Sequence, residues 1–226
     1  MSSGPSLASI QVGLPRAYGS DDAVSPFDKP WTTGIFKHAV EGAAAVRRTF
    51  VEGDGQGDTI NHGGADKAIC AYSADHYEHW RRALGVDPFV HGAFGENFTV
   101  RRLVEDDVCI GDTWNIGAVT VQVSQPRQPC WKLARKWRIK ELADTVIASG
   151  RTGWYFRVIK EGAVHAGDEC TLVARPNPEW TITAANRVMY ARPYDRDGCA
   201  ALAAVSLLSD AWRRTLSGRA AAPLGS

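Results

Sequence analysis

The chain has 226 residues, of which 44% are hydrophobic and 23% charged, an ordinary globular composition with enough length for one sizeable core. Its 26 Lys and Arg residues against 25 Asp and Glu residues give a net charge of +1, which argues against a protein dedicated to nucleic acid or membrane surfaces. No apolar run is long enough to span a bilayer and the start lacks a signal-peptide pattern, so we expect a cytoplasmic protein.

The five cysteines form an odd, widely spaced set, which does not indicate a disulfide framework in a protein expected in the cytoplasm. Four of them lie among apolar residues of predicted strands or at the start of a predicted helix. A cysteine in such a place is most simply a small buried side chain. These four are Cys70, Cys109, Cys170 and Cys199.

From about residue 7 to 175 the sequence predicts short β-strands separated by glycine and proline. The clearest is GAVTVQVSQ, in which Val119, Val121 and Val123 alternate with other residues as in a half-buried strand. We also predict two strands around a Gly-Ala turn in GWYFRVIKEGAVHAGDECTLV. Further strands are predicted in AVRRTFVEGDG, KAICAYS, DVCIGDTWNIG and DECTLVAR.

Two helices are predicted within the same region. The stretch SADHYEHWRRALG begins with a capping residue, Ser73, and ends at Gly85. The stretch WKLARKWRIKELADTVIASG places apolar residues at helical spacing and ends at Gly150, which predicts a second helix.

The composition changes after Pro178, where alanine and leucine dominate without strand alternation. We predict a small helical unit in which Thr181 or Thr183 caps the first helix and Asp197 the second. The predicted organisation is therefore a main domain at 1–178, a helical domain at 179–219 and a disordered tail at 220–226.

A glycine-rich stretch, GDGQGDTINHGGADKA, occupies Gly53–Ala68. It is not a dinucleotide-binding loop, because Asp58 stands where G-x-G-x-x-G requires its third glycine and a predicted strand follows. Glycines permit tight turns and also let a backbone approach a ligand closely. Both interpretations stay open, and the second is favoured by the polar residues of the same loop, Asn61, His62, Asp66 and Lys67.

Two further motifs are ambiguous from the residues alone. His76 and His79 lie three apart on a predicted helix, a spacing that can bind metal, but no cysteine or carboxylate cluster completes a zinc site. Exposed histidines on an amphipathic helix are the simpler interpretation. In FGENFTV, Glu96 and Asn97 either close a tight turn or orient a polar ligand at the mouth of a strand.

Cys130 differs from the other cysteines, because it lies in QPRQPCWKL, between a predicted strand and a predicted helix. Pro129 suits a first helical turn, and the prolines stiffen the segment. Unpaired N–H groups and the cations Arg127 and Lys132 would favour a thiolate, which binds soft metals. These residues leave a metal ligand, a nucleophile and a packing residue as open alternatives.

Three motifs taken together resemble the MOSC domain, the molybdenum cofactor sulfurase C-terminal domain. They are NHGGADKAICAYSADHYEHW, FGENFTV and VSQPRQPCWKL, and PEWTITAANRVMY resembles the start of the three-helix domain found in the YiiM-like branch. The resemblance spans roughly residues 9–219. It implies a strand-rich α+β fold, with a MOSC-type β-barrel, flanking helices and a small all-helical C-terminal domain.

The resemblance also implies a molybdenum cofactor (molybdopterin), with Cys130 as the protein ligand of the metal. Further cofactor-binding residues follow from the family's motifs, with the segment WTTGIFK aligning only loosely. They are Thr32, Thr33, Lys37, Asn61, His62, Asp66, Asn97 and Arg127. Lys37 or Arg127 suits the cofactor phosphate, and His62 suits proton delivery because histidine titrates near neutral pH.

Proteins of this branch are associated with reduction of N-hydroxylated compounds, including base analogues such as 6-hydroxylaminopurine. We therefore expect a molybdenum-dependent oxidoreductase in which Cys130 and His62 carry the chemistry. The sequence shows no flavin or iron–sulfur motif, so electrons are expected from a separate flavoprotein or iron–sulfur reductase.

Two alternatives remain at this stage. Cys130 could serve a non-catalytic carrier of the cofactor, or of sulfur held as a persulfide. The helical tail could serve assembly, because its apolar residues would pack either on the main domain or on a second subunit of a homodimer.

Overall fold

The structure is a computed structural model that describes residues 4–58 and 63–222. The predicted site residues Asn61 and His62 lie outside the described residues. Within the described part of the chain, no helix is both long and apolar enough to cross a membrane.

The strand-rich α+β class and the C-terminal helical unit are confirmed. The described strands are β1 (Ser6–Val12), β2 (Arg16–Tyr18), β3 (Trp31–Thr33), β4 (His38–Ala39), β5 (Ala43–Val46), β6 (Ile69–Ser73), β7 (Phe98–Arg101), β8 (Thr113–Ile116), β9 (Val119–Pro126), β10 (Trp154–Lys160), β11 (Gly162–His165) and β12 (Cys170–Ala174). The described α-helices are α1 (Tyr77–Leu84), α2 (Trp131–Trp137), α3 (Leu142–Ser149), α4 (Ile182–Tyr190), α5 (Arg196–Ala203) and α6 (Asp210–Ala221).

Among the described residues, eight strands form one sheet in the order β12-β8-β9-β10-β6-β7-β1-β4. Strand pairing among the described residues does not close the β-barrel that the family resemblance implies into a continuous ring. The sheet curls until the start of β1 meets the start of β12, where Ser6 and Glu169 form an isolated bridge and Leu7 donates its N–H to the Asp168 carbonyl at 2.8 Å. The short strand β4 pairs with the last two residues of β1, Gln11 and Val12. Within the part of the chain that the structure describes, only the first residues of β1 are therefore in contact with the β12 edge of the sheet.

The alternation in β9 has the predicted consequence, since Val119, Val121 and Val123 are all buried. The predicted Gly-Ala turn is wrong. Gly162 and Ala163 lie within β11, which pairs with β5 rather than folding back on β10. Local sequence did not reveal this, because β5 lies more than a hundred residues earlier in the chain.

The helix after Ser73 begins as predicted, with the Ser73 hydroxyl accepting from the N–H of Asp75 in a leading 3₁₀ turn. The long helix predicted after Cys130 is instead two helices. Arg138 adopts a left-handed conformation, with φ of 58°, and ends α2. Helical spacing continues across this break because both halves bury residues in the same small core, Leu133 from α2 and Leu142 from α3.

In the C-terminal unit Thr181 caps α4, accepting from the N–H of Ala184 at 3.0 Å. The predicted cap Asp197 is wrong, because Asp195 caps α5 and accepts from the N–H of Gly198. The last helix continues to Ala221, two residues beyond the predicted edge of the domain.

A single hydrophobic core joins the sheet to the C-terminal helices. Trp212 and Leu216 of α6 are almost completely buried in the same cluster as Val121 and Trp154 of the sheet. The apolar residues of the helical unit therefore pack on the main domain, which is the first of the two alternatives considered for them.

Candidate functional site

A cleft lies where the end of β9, the segment after β3 and the glycine-rich loop meet. Five of the predicted site residues line it: Thr33, Lys37, Asn97, Arg127 and Cys130. These residues come from three separate segments of the chain. The fold therefore gathers the predicted positions from distant motifs into one cavity.

Cys130 is the N-cap residue of α2, with extended φ and ψ of −125° and 168°. Its carbonyl accepts the first hydrogen bond of the helix, from the N–H of Leu133 at 3.1 Å. It follows the end of β9 by four residues, as predicted. All five cysteines are free thiols, and Cys130 is the one of intermediate exposure while the other four are buried.

Arg127 is 6% exposed and lines the same cleft. Its Nη2 donates to the Phe94 carbonyl at 2.6 Å. Its Nη1 is buried and has no acceptor at hydrogen-bond geometry among the described residues, although the Tyr155 phenol lies close enough to the guanidinium to interact with it. A buried guanidinium nitrogen without a partner costs free energy. An anion placed in the cleft would supply the missing acceptor.

Lys37 forms a buried ion pair with Asp54, a residue that sequence analysis missed. The Asp54 carboxylate also accepts from the N–H of Gly13 at 2.9 Å and from Asn97 Nδ2 at 2.8 Å. Asp54 therefore offsets most of the Lys37 charge and fixes the position of its ammonium group.

The Asn97 side chain is fully engaged within the protein. Its Oδ1 accepts from the N–H of Cys70 at 3.1 Å, and its Nδ2 donates to Asp54 and to the Gln11 carbonyl. The amide holds β6, β1 and the glycine-rich loop together at the wall of the cleft. Its predicted role in cofactor binding stays a prediction, supported by its place in the wall.

The neighbouring Glu96 is completely buried and does not line the cleft. Its carboxylate accepts from the N–H groups of Gly92 and Phe94, at 2.8 and 3.1 Å, and from the Tyr77 and Thr99 hydroxyls. The tight turn predicted for FGENFTV is therefore held by this carboxylate.

The charge of the cleft is strongly positive. Among its described lining residues four are cationic, Lys37, Lys67, Arg127 and Lys132, whereas Asp54 alone is acidic. Burial lowers the pKa of Lys67, against the opposing effect of Asp66 and Asp58. Such a cavity suits a ligand that carries phosphate or other negative charge.

Two further cleft residues were not singled out from the sequence. Cys70 was predicted to be a small buried residue, and it is buried, yet it also faces the cleft; burial raises the pKa of its thiol to about 11. Tyr155 of β10 lines the cleft, and burial raises the pKa of its phenol well above the ordinary range. Both thus remain protonated at neutral pH. Their strand sequences are apolar, so no local signal marks them.

The remaining predicted positions lie at different distances from the cleft. The Thr33 hydroxyl lines the wall but accepts from the N–H of Ile35, and Thr32 is exposed. Asp66 pairs with Arg157 at 2.8 Å and does not line the cleft. This geometry gives Asp66 a role in holding its loop, one of the roles that its motif allows.

Glycines allow the backbone of the glycine-rich loop to pack directly on the backbone of the segment after β3. A Cβ added at Gly57 would lie 2.7 Å from the Thr32 carbonyl oxygen, and one added at Gly34 would lie 2.3 Å from the Gly55 carbonyl oxygen. The loop is thereby pressed onto the segment after β3. At these two positions the glycines allow two protein segments that line the cleft to approach each other closely.

Trp131 packs outside the cleft, in an aromatic cluster between α2 and the β2–β3 hairpin. Its ring lies 5.5 Å from that of Trp31, and the Arg135 guanidinium lies over both rings, at 4.9 Å from Trp31 and 5.4 Å from Trp131. Arg135 also donates to the Phe27 carbonyl in the hairpin. The tryptophan after Cys130 thus ties the hairpin to the helix that begins there.

The two histidines considered as a weak metal candidate contact different partners. His76 Nε2 lies 2.6 Å from the buried Glu105 carboxylate, whereas the His79 ring packs edge-on against Trp80. No group of three His, Cys, Asp or Glu side chains is arranged for a metal ion within residues 4–58 and 63–222.

Lys136, the next-to-last residue of α2, should make stability depend on pH. Its ammonium donates to the Gly92 and Ile35 carbonyls, and burial lowers its pKa to about 8, with repulsion from Arg127 and Lys37 adding to the effect. The unfolded chain holds this proton up to a pH near 10.5. Between these values the unfolded state holds the Lys136 proton more tightly, so the contribution of Lys136 to the free energy of unfolding rises with pH.

We expect the slope of the free energy of unfolding against pH to be lower in Lys136→Met than in wild type, by as much as ~1.4 kcal/mol per pH unit between pH 8 and 10. The buried thiols Cys70 and Cys170, whose pKa values burial raises, oppose the rise equally in both proteins. Urea unfolding at each pH measures it. The exposed Lys140→Met is the control and should keep the wild-type slope. Equal slopes for wild type and Lys136→Met would contradict the assignment.

Comparison with known proteins places this cleft in context. A sequence model described as MOSC domain matches residues 58–171, and one described as YiiM-like, 3-alpha helix domain matches residues 180–221. The chain is 41% identical to the protein YflK of Bacillus subtilis, over 92% of this chain and 91% of that protein. It is 36% identical to a protein of Gibberella moniliformis named reductase, over 71% of this chain but 29% of the fungal protein.

Among solved structures, the crystal structure of YiiM from Geobacillus stearothermophilus matches with a TM-score of 0.80 at 36% identity. The match covers 96% of this chain and 100% of that one. The sheet, the cleft and the helical unit thus all fall within the shared fold.

Proposed function

The chain belongs to the MOSC domain family, in the branch with the YiiM-like three-helix domain, and on that premise we propose that it is a molybdenum cofactor-dependent reductase of N-hydroxylated compounds. Such compounds include base analogues such as 6-hydroxylaminopurine, and their reduction would serve detoxification. The fungal relative named reductase supports redox chemistry. The observation that carries the proposal is one cleft in which Cys130 and a buried arginine with an unpaired nitrogen meet.

The residues present fit a molybdenum cofactor. The group carries a phosphate, a dithiolene and a metal that takes a soft protein ligand. Cys130 is the most exposed thiol of the chain and would supply that ligand. Arg127 Nη1 lacks an acceptor, and Lys67 and Lys132 add positive charge, so the cleft would hold the phosphate.

The reaction converts R–NHOH, two electrons and two protons into R–NH2 and water. The bound cofactor would supply the two-electron redox chemistry that side chains lack. The protein's own part is to hold the anionic group through Arg127 and the lysines, and to present the Cys130 sulfur from a fixed turn. Tyr155 is a protonated cleft residue that can donate a hydrogen bond to a polar substrate, and His62 remains the proposed route for protons.

The electron donor is proposed to be a separate flavoprotein or iron–sulfur reductase. A surface next to the cleft would receive it, because electrons must reach a group bound at Cys130. We also retain the carrier function as a second candidate, since a partly exposed cysteine in a cationic cleft equally suits a persulfide.

The test uses the freshly purified full chain. We expect about one molybdenum and one pterin per chain, and reduction of 6-hydroxylaminopurine to adenine with a reduced artificial electron donor. Persulfide on Cys130 without molybdenum would instead establish the carrier. Cofactor-loaded protein that leaves every N-hydroxylated compound unreduced would refute the reductase proposal.

A further inference from the structure

The C-terminal helical domain contacts the main domain at the segment that carries the cleft residues. Ser209, at the start of α6, donates its N–H to the Ser124 carbonyl at 2.9 Å. Its hydroxyl donates to Gln125 Oε1 at 2.7 Å. Both partners lie at the end of β9, within six residues of Cys130. All three residues are almost completely buried.

A second contact reaches Arg127 from the other side. Asn186 of α4 donates from Nδ2 to the Thr152 hydroxyl at 2.8 Å, and that hydroxyl donates to the Gly153 carbonyl at 3.1 Å. The same Gly153 carbonyl accepts the backbone N–H of Arg127 at 3.0 Å. Asn186 is therefore two hydrogen bonds away from the acceptor that fixes the arginine's backbone.

Gly153 itself has little freedom to move. Its φ is +74°, and a Cβ there would lie 2.4 Å from the Ala71 carbonyl oxygen. Its N–H donates to Glu105 Oε1 at 2.8 Å, and Glu105 pairs with His76. The carbonyl that holds Arg127 thus belongs to a residue whose N–H is bonded to the buried Glu105, and it also accepts a hydrogen bond from Thr152, which Asn186 of the helical domain contacts.

A third contact reaches the glycine-rich loop. The N–H of Asp210 in α6 donates to Asp66 Oδ2 at 3.3 Å, and Ser124 donates its hydroxyl to the Asp66 carbonyl. Asp66 and Ser124 lie next to segments that contribute Lys67 and Arg127 to the cleft, and these hydrogen bonds join them at the first turn of α6. Asp66 therefore links its loop to β9 and to α6.

Apolar packing alone would not set these positions. Trp212, Leu216 and Leu202 hold the helices on the sheet through contacts that have no fixed direction. Hydrogen bonds are directional, and a buried polar group left without one costs free energy. Asn186 and Ser209 therefore determine where the β9 end lies relative to the helices.

We infer that the helical domain is a positioning element of the cleft, with Asn186 and Ser209 as positioning residues that fix the segment from Ser124 to Cys130. The inference rests on the proposed function only in treating Cys130 and Arg127 as cofactor residues. The rigidity that it assigns to this segment does not depend on the reaction.

The experiment is hydrogen–deuterium exchange on the full chain without cofactor, comparing Ser209→Ala and Asn186→Ala with wild type. We expect amides of residues 124–131 to exchange roughly tenfold faster in both variants, because opening this segment no longer breaks the buried contact. Alkylation of Cys130, followed by mass spectrometry, should become faster in parallel. Ser209→Thr keeps the hydroxyl and should restore wild-type exchange.

Asp195→Ala is the matched control, because Asp195 and Ser209 each cap a helix of the same domain. It should loosen α5 and leave residues 124–131 unchanged. If Ser209→Ala fails to fold, Asn186→Ala and its milder form Asn186→Ser decide the question, since Asn186 caps no helix.

Exchange that stays at the wild-type rate in 124–131, while the helices loosen, would overturn the inference. A positive exchange result in a protein that reduces no N-hydroxylated compound would instead leave the positioning role in place and remove the proposed reaction. The two failures are therefore distinguishable.

Discussion

Cys130→Ser should lose bound molybdenum and reduce turnover of N-hydroxylated substrate by about a hundredfold or more. Loss of residues that only support a metal ligand already costs 10- to 100-fold, and loss of the ligand itself should cost at least as much. Serine keeps the size of the side chain, but its hydroxyl is a poor ligand for a soft metal site. Metal analysis and steady-state kinetics on the same preparation measure both effects.

The matched control is Cys70→Ala, because Cys70 lines the same cleft and burial raises its pKa to about 11. A thiol that stays protonated is a poor metal ligand, so this variant should retain molybdenum. Loss of the metal in Cys70→Ala with retention in Cys130→Ser would reverse the assignment.

Arg127→Met should weaken cofactor retention by roughly 10- to 100-fold, the range expected for a charge-assisted hydrogen bond worth about 1.5–3 kcal/mol. The cofactor-free protein should be no less stable than wild type. The reason is that Arg127 is buried with one amino group unpaired, so its removal relieves a cost that only an anion in the cleft would otherwise offset. Equilibrium dialysis with molybdopterin and thermal unfolding of the cofactor-free chain give the two measurements.

Arg138→Met is the comparison, because Arg138 pairs with Asp28 at an exposed site on the far end of α2. Exposed ion pairs contribute little, so neither cofactor retention nor stability should change appreciably. A marked loss of stability in cofactor-free Arg127→Met, with retention unaffected, would show that the arginine is purely structural.

The sequence alone identified what local chemistry encodes. The alternation of β9, the caps Ser73 and Thr181, and the turn that places Cys130 before a helix each depend on residues close in the chain. The break at Arg138 and the cap at Asp195 were missed, since a left-handed residue other than glycine and a choice between nearby carboxylates depend on packing. The pairing of β11 with β5 could not be predicted either, because the two strands are more than a hundred residues apart in the chain.

In the site, the motifs pointed to Thr33, Lys37, Asn97, Arg127 and Cys130 among others, and the structure brings these five to one cleft. No local pattern identifies Asp54, Cys70 or Tyr155 as site residues. A carboxylate between glycines is common in turns, and cysteine and tyrosine are common in apolar strands. Their place in the wall follows from which strands are neighbours in the sheet.

The sequence by itself thus determined the class of fold, the separate helical unit and a cysteine held in a stiff turn, because proline, glycine and side-chain periodicity act over a few residues. Only the tertiary structure decided that Asp54 offsets the charge of Lys37, that Arg127 is buried with a free nitrogen, and that Ser209 and Asn186 hold the cysteine's segment. Those properties arise from pairs of groups 17 to 85 residues apart in the chain, and sheet order and burial bring the two members of each pair together.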